Sequence, residues 1–343
     1  MENRYEKVSL QAFDTMIQDH KSTLRDVRTN FSKLDYLGSG AGTLANGFET
    51  VGVKATETGY MKMCQRMGAP YSWLQSERCP EDLEVTIVNR LKREVRDDQL
   101  FRLRKSPDAD EYLLRSVLSK QYRVFDHHQV WEVVKNTLES NAIAPTDPVI
   151  WKPSVSDSMN VWVLFDSVLA DPNSPAPSSY DGGGYGGLKP AIHIKNAEDG
   201  TGGVNIASGF YRSYCANGVI FGYQNDTVMR KIHKGSHYEM IGAVMGAMTY
   251  ALRMSADGIR AYIQAMQVEL NKELDDIVDV WGKKYAFGVH ACELWASFLK
   301  DQEPKTVADL AMATSDFAGR YPDSKLSTDF ERLAGDLITA RRI

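Results

Sequence analysis

The sequence predicts an α+β fold, with a central antiparallel sheet, N-terminal helices and a C-terminal helical region. Three observations carry that prediction. Apolar residues recur at three- and four-residue spacing between Thr56 and Arg96, and again from about Tyr238 onward, which is the period of an amphipathic helix. Between Val149 and Gly222 they fall instead into short runs rich in β-branched and aromatic residues, separated by turn chemistry. The order is therefore helices, strands, helices, without the β-α alternation of a doubly wound nucleotide-binding sheet. The boundaries that follow are 1–50 for an N-terminal helix and a glycine-rich segment, 51–235 for an α+β core, and 236–343 for the helical region.

In chain order, the first helix is expected over Leu10–Asp19. The stretch Gly38-Ser-Gly-Ala-Gly42 reads as a flexible connection. It is no phosphate loop, because no Gly-Lys-Ser/Thr follows and no apolar strand precedes it. Tyr60, Met63, Cys64 and Met67 share one helical face, Gly68-Ala-Pro70 breaks the run, and Leu83, Ile87, Val88, Leu91 and Val95 resume it. The period then drops to two. Phe101 and Leu103 alternate with Arg102 and Arg104, Ser106–Asp110 supplies a turn, and Tyr112–Leu118 is extended, which together predict a β-hairpin. Tyr122–Phe125 reads as extended and His128–Leu138 as helical. The main sheet is expected from 149–151, 160–165, 188–195, 203–212 and 217–222. A loop over 170–187 with three prolines and five glycines interrupts it. Ile259 to Trp281 then traces one apolar helical face, followed by helices over 283–299, 307–317 and 328–341.

Composition narrows the function. At 343 residues, 43% apolar and 25% charged, the chain has the make-up of a globular protein with a large core. Its four cysteines are far apart and form no C-x-x-C pair, so they read as free thiols in a reducing cytoplasm. The N-terminus has no apolar signal core. The most apolar stretch, Met240–Leu252, falls short of the ~20 residues that span a bilayer. Neither a membrane nor secretion is expected.

Net charge is −5. Residues 90–123, however, carry ten basic and six acidic residues, a local +4 that leaves −9 on the rest. Such segregation suits a polyanionic partner.

Catalytic motifs do not assemble. His127-His128 are adjacent and diverge on any regular element. His233 and His237 would meet on a helix, but Gly235 lies between them and Lys234 replaces the glutamate of a zinc-protease motif, so they read as surface or partner-contacting histidines. His290 and Cys292 are two apart and point away from each other on a helix. Asp275, Asp276 and Asp279 read as the solvated face of an amphipathic helix. No enzyme activity, cofactor or metal site is expected.

Binding is better supported. A strand would place Arg102 and Arg104 together on one face, with Arg93 and Arg96 on the preceding helix and Lys105 at the strand end. Spaced cations of this kind are what a phosphate backbone needs. Trp151 beside Lys152, and Tyr211 beside Arg212, could add stacking platforms for unpaired bases.

The segments Leu114-Arg-Ser-Val-Leu-Ser-Lys-Gln-Tyr-Arg-Val-Phe-Asp126, Gly209-Phe-Tyr-Arg-Ser-Tyr-Cys-Ala-Asn-Gly-Val-Ile-Phe221 and Arg230-Lys-Ile-His233-Lys-Gly resemble a phage- and plasmid-borne family catalogued as domain of unknown function 932. Met67-Gly-Ala-Pro70-Tyr-Ser-Trp-Leu74 is similar to a further segment of that family, and the likeness spans roughly 55–300. It implies a mobile-element setting in a bacterial cytoplasm, and carries no activity with it.

Two functions are therefore expected. The first is single-strand DNA binding or strand annealing by a homo-oligomer, through Arg93, Arg96, Arg102, Arg104, Lys105, Trp151, Lys152, Tyr211 and Arg212. The second is a non-enzymatic interaction or assembly role for the C-terminal helices.

Overall fold

The computed structural model describes residues 5–46, 49–106, 110–143, 149–151, 157–165, 188–212, 217–221, 229–231 and 233–340. The N-terminal half runs β1 (Tyr5–Lys7), α1 (Leu10–Thr23), β2 (Leu24–Thr29), β3 (Leu34–Gly38), β4 (Ala41–Asn46), β5 (Glu49–Ala55), α2 (Glu57–Met67), α3 (Tyr71–Leu74), α4 (Glu81–Leu91), β6 (Gln99–Lys105), β7 (Tyr112–Ser119) and α5 (His127–Ser140). Five central strands follow: β8 (Val149–Trp151), β9 (Ser158–Leu164), β10 (Leu188–Ala197), β11 (Val204–Arg212) and β12 (Asn217–Phe221). After the short β13 (Met229–Lys231) the chain is helical: α6 (His237–Ala265), α7 (Leu274–Lys284), α8 (Val289–Gln302), α9 (Val307–Arg320) and α10 (Ser324–Thr339).

The α+β class is as expected, but the strands form two sheets rather than one. The first has the order β1-β8-β9-β10-β11-β12, with β13 also on β11, and its pairings among the described residues are antiparallel. The second has the order β2-β6-β7-β5-β4-β3 and is antiparallel except where β5 runs beside β7. The expected hairpin over 100–118 is its central β6–β7 pair.

The second sheet draws four strands from the N-terminal 55 residues, where one helix and a flexible connection were expected. The glycine-rich stretch is the β3–β4 hairpin, with Gly38 and Gly40 at positive φ. Alternating burial along Leu34–Gly38 shows the strand period that the glycines obscure.

Three cores follow. Helices α2 and α4 cover one face of the second sheet through Tyr60, Met63, Met67 and Val88, packed on Phe101, Leu103 and Val117. Helices α1, α5 and the first half of α6 cover the first sheet. The second half of α6 joins α7–α10 in an aromatic core centred on Trp295, Phe317 and Phe330.

The single apolar face expected over 259–281 is broken. α6 ends at Ala265, and residues 268–270 instead bond with 305–307, as in Leu270 N donating to Lys305 O and Val307 N to Val268 O. No proline or glycine lies in 266–273, so a tertiary strand-like contact overrides a helical pattern. Asp275 and Asp279 lie on an exposed face, paired with Lys300 at 2.8 Å and Lys283 at 2.7 Å.

Candidate functional site

The two sheets meet across a buried set of charges. Arg102 of β6 donates from Nε to Asp26 at 3.0 Å, from Nη1 to the Glu198 carbonyl at 2.8 Å, and from Nη2 to Asp126 at 2.7 Å. Arg115 of β7 donates from Nη1 to the Glu198 carboxylate at 2.9 Å and pairs with Asp157 at 3.0 Å. Both guanidinium groups are fully buried.

Glu198, just past β10, is the hub. Its Oε2 also meets His20 Nε2 at 2.9 Å, and its Oε1 accepts from the His127 backbone N–H at 2.7 Å and lies 3.3 Å from His127 Nδ1. Burial alone would raise its pKa. The charges and hydrogen bonds of His127, His20 and Arg115 outweigh burial and hold the carboxyl well below its ordinary range. Asp126 is pushed the other way, to about 6, by burial and by the Glu198 charge, against the pull of Arg102.

His20, His127 and Glu198 bring three ligand-type atoms within 4.8 Å of one another. The carboxylate is already surrounded by N–H donors, however, and the Arg115 guanidinium sits where a cation would be repelled. The arrangement suits a caged carboxylate that ties the sheets together better than it suits a metal centre.

Next to this network is a polar pocket of about 330 Å³ between α2, the end of β7 and residues 233–234. Its lining includes Lys62, Arg66, Lys234, Tyr122, His233 and Gly200, with no carboxylate among the described residues. Among the described residues Lys62 reaches only the Gly200 carbonyl, at 3.4 Å, and Arg66 only the Val117 carbonyl, at 3.5 Å. Neither they nor Lys234 form an ion pair with a carboxylate among the described residues. The Tyr122 and His233 rings stack 4.9 Å apart and 10° from parallel, and Tyr122 Oη donates to the Glu198 carbonyl, joining the pocket wall to the hub. Exposed Arg28 and Arg123 flank it; Arg28 bonds the Tyr122 carbonyl at 3.4 Å.

His233 is a correction. It is buried, not on the surface, and precedes the helix that begins at His237, so the two histidines do not form a helical pair. Both its ring nitrogens face acceptors, Arg123 O at 3.2 Å and Asn196 Oδ1 at 3.1 Å. Burial nevertheless lowers its pKa to about 4, so the ring is neutral at neutral pH.

Arg102 is the second correction. Strand alternation does separate it from Phe101 and Leu103, but the polar face of this central strand is covered by the first sheet. A fully buried, three-partner guanidinium is not available to a phosphate backbone. Arg104 is partly exposed and lies 3.6 Å from Asp157. Arg93, Arg96 and Lys105 are exposed. Lys105 lies at the far end of β6 from the other two, roughly 20 Å along a seven-residue strand, so they form no continuous strip. Lys152 lies outside the described residues, as do the side chains of Trp151, Tyr211 and Arg212.

The sequence reading missed the pocket. Lys62 and Arg66 stand one turn apart on a helix face, which is a legible pair. Their proximity to Lys234 depends on how the sheets meet.

The fold and site together define an α+β protein of two sheets, one antiparallel and one mostly so, joined by a caged glutamate, with a cationic pocket at the joint. Residues 115–278 match the model described as Domain of unknown function (DUF932), and this stretch of the chain belongs to that family. It contains Arg115, Asp126, His127, Glu198, His233 and Lys234, whereas Lys62, Arg66 and Arg102 precede it. No curated protein and no solved structure matches the chain. Among the described residues no helix is long and apolar enough to cross a membrane.

Proposed function

We propose that this chain binds single-stranded nucleic acid, with backbone phosphates seated in the pocket between α2 and residues 233–234. The observation that carries this reading is the lining itself: Lys62, Arg66 and Lys234 converge on one concavity with no carboxylate among its described lining residues to neutralise them. Arg28 and Arg123 extend the positive surface beside it. The concavity is of a size that takes a phosphate with its sugar, and too small for a duplex to enter. The interface thus moves from the hairpin arginines to the joint between the sheets. No catalytic step is needed, because the neighbouring carboxylate is engaged by its own donors. Strand annealing is the use that we propose for such binding.

Fluorescence anisotropy of a labelled single strand over a salt series tests this. Changing Lys62, Arg66 and Lys234 together to Glu should abolish binding at moderate salt. The corresponding triple change to Gln should lower the salt slope by about 2, at about 0.7 per phosphate contact. Changing Arg93, Arg96 and Lys105 to Gln should leave both nearly unchanged. A folded Lys62/Arg66/Lys234 variant with wild-type affinity would remove the reading.

A further inference from the structure

The outward face of α6 has a feature that nucleic-acid binding does not use. Glu239, Gly242, Gly246, Tyr250 and Arg253 are all exposed. At 3.6 residues per turn they fall within about 40° of one line along the helix. A Cβ built on Gly242 or on Gly246 would meet no atom within 4 Å beyond its own stretch of helix among the described residues, so the backbone is open to close approach there. Tyr238 (85% exposed) and Met245 (43%) flank the line on one side. The opposite face of the helix is occupied, with Met240, Val244, Met248 and Leu252 in the core against the first sheet and α5.

This line is self-complementary about Gly246. Glu239 stands seven residues before it and Arg253 seven after; Gly242 stands four before and Tyr250 four after. We infer that α6 is a homodimer interface, in which a second copy of this chain packs its own α6 antiparallel across a two-fold axis at Gly246. The axis sets each Tyr250 ring over the other copy's Gly242, where there is no side chain to obstruct it. It sets each Arg253 beside the other copy's Glu239, whose Oε2 also accepts from its own Ser236 N–H at 2.7 Å. A parallel pairing would instead put like charges together and ring against ring. An isologous contact requires that residue i meet j and j meet i, and these two pairs satisfy that rule with opposite charge and complementary size. Close approach of two helices through small residues then brings the flanking Tyr238 and Met245 into the interface.

Light scattering or sedimentation equilibrium on the full chain tests the inference. Wild type should give twice the 38.4 kDa of one chain. Gly246→Gln places a side chain in open space within one copy but on the axis between two. It should give a single-chain mass together with an unchanged circular dichroism spectrum and a cooperative unfolding transition, which separates loss of the interface from loss of folding. Arg253→Glu should weaken the dimer at least tenfold, and Glu239→Lys added to it should restore association. Gly246→Cys should form a disulfide-linked dimer under mild oxidation, whereas Met245→Cys, about 100° off the line, should not. A monomeric wild type would overturn the inference, and so would a Gly246→Gln variant that keeps the double mass. Neither result bears on the pocket, which lies on other elements.

Discussion

Replacing Glu198 with Ala should destabilise the protein by about 3–5 kcal/mol in urea unfolding at pH 7, the usual cost of removing one partner from a buried ion pair. One carboxyl serves Arg115, His20 and the His127 backbone N–H, and its loss would leave Arg115 fully buried with only Asp157 as a charged partner. Two Arg115 donors, Nε and Nη2, already have no hydrogen-bond partner among the described residues. Glu198→Gln retains the shape and removes the charge, and it exposes the pH dependence. The folded-state pKa of Glu198 is depressed, so its contribution is fully present above the unfolded value of about 4.5 and is lost as pH falls below it. Wild type and Glu198→Gln should therefore differ most near neutrality and converge in acid. Asp126 acts with the opposite sign. Its folded pKa is raised to about 6, so its contribution is complete below 3.8 and disappears as pH rises through 6. Removing the Glu198 charge should bring that titration down toward the ordinary range, which carboxyl NMR would follow. A constant stability difference from pH 3 to pH 7 would mean that Glu198 is not held ionised by its neighbours.

What could be read in the sequence, and what could not, follows from the range of the forces involved. Helices α2, α4 and α5 and strands β6–β12 were legible, because apolar periodicity is local and each element buries one face. The β3–β4 hairpin was not: glycines that serve a tight positive-φ turn have the same composition as glycines that serve a flexible link. The break at 266–273 was invisible for a similar reason, since the bonds to 305–307 that end the helix come from forty residues downstream. The site was the least legible part. His20 and Glu198 are 178 residues apart, and Arg102 and Glu198 are 96 apart. Alternation along Phe101–Arg104 correctly separated polar from apolar faces, but nothing in a strand pattern says whether a polar face meets water or another sheet. Arg102 illustrates this: an arginine that looks like a phosphate clamp is the anchor of a buried junction.

Gly59→Ala should cost more than about 3 kcal/mol, although alanine in the middle of a helix ordinarily gains about 1 kcal/mol over glycine. A Cβ at Gly59 would stand 1.9 Å from the Leu114 carbonyl oxygen and 2.8 Å from its carbon. This is backbone, with no side-chain rotamer able to give way, so α2 would have to retreat by about 1 Å to reach even a tight contact. Retreat would break the attachment of the helix. Thr56 N donates to Leu114 O at 3.0 Å, and Thr56 Oγ1 both accepts from Gly59 N at 3.0 Å and donates to Leu114 O at 3.3 Å. The displacement would also reach both sites. Lys62 and Arg66 ride on α2, and Arg115, the next residue along β7, contacts Glu198. Gly246→Ala on α6 is the matched control when compared at concentrations where wild type and variant are both single chains, since its Cβ meets open space within one copy and should raise the unfolding midpoint. Opposite shifts for two glycine-to-alanine changes in helices are expected, the first with weakened single-strand binding as well. Equal shifts would show that α2 does not sit on β7 at backbone contact, and the pocket built on that contact would go with it.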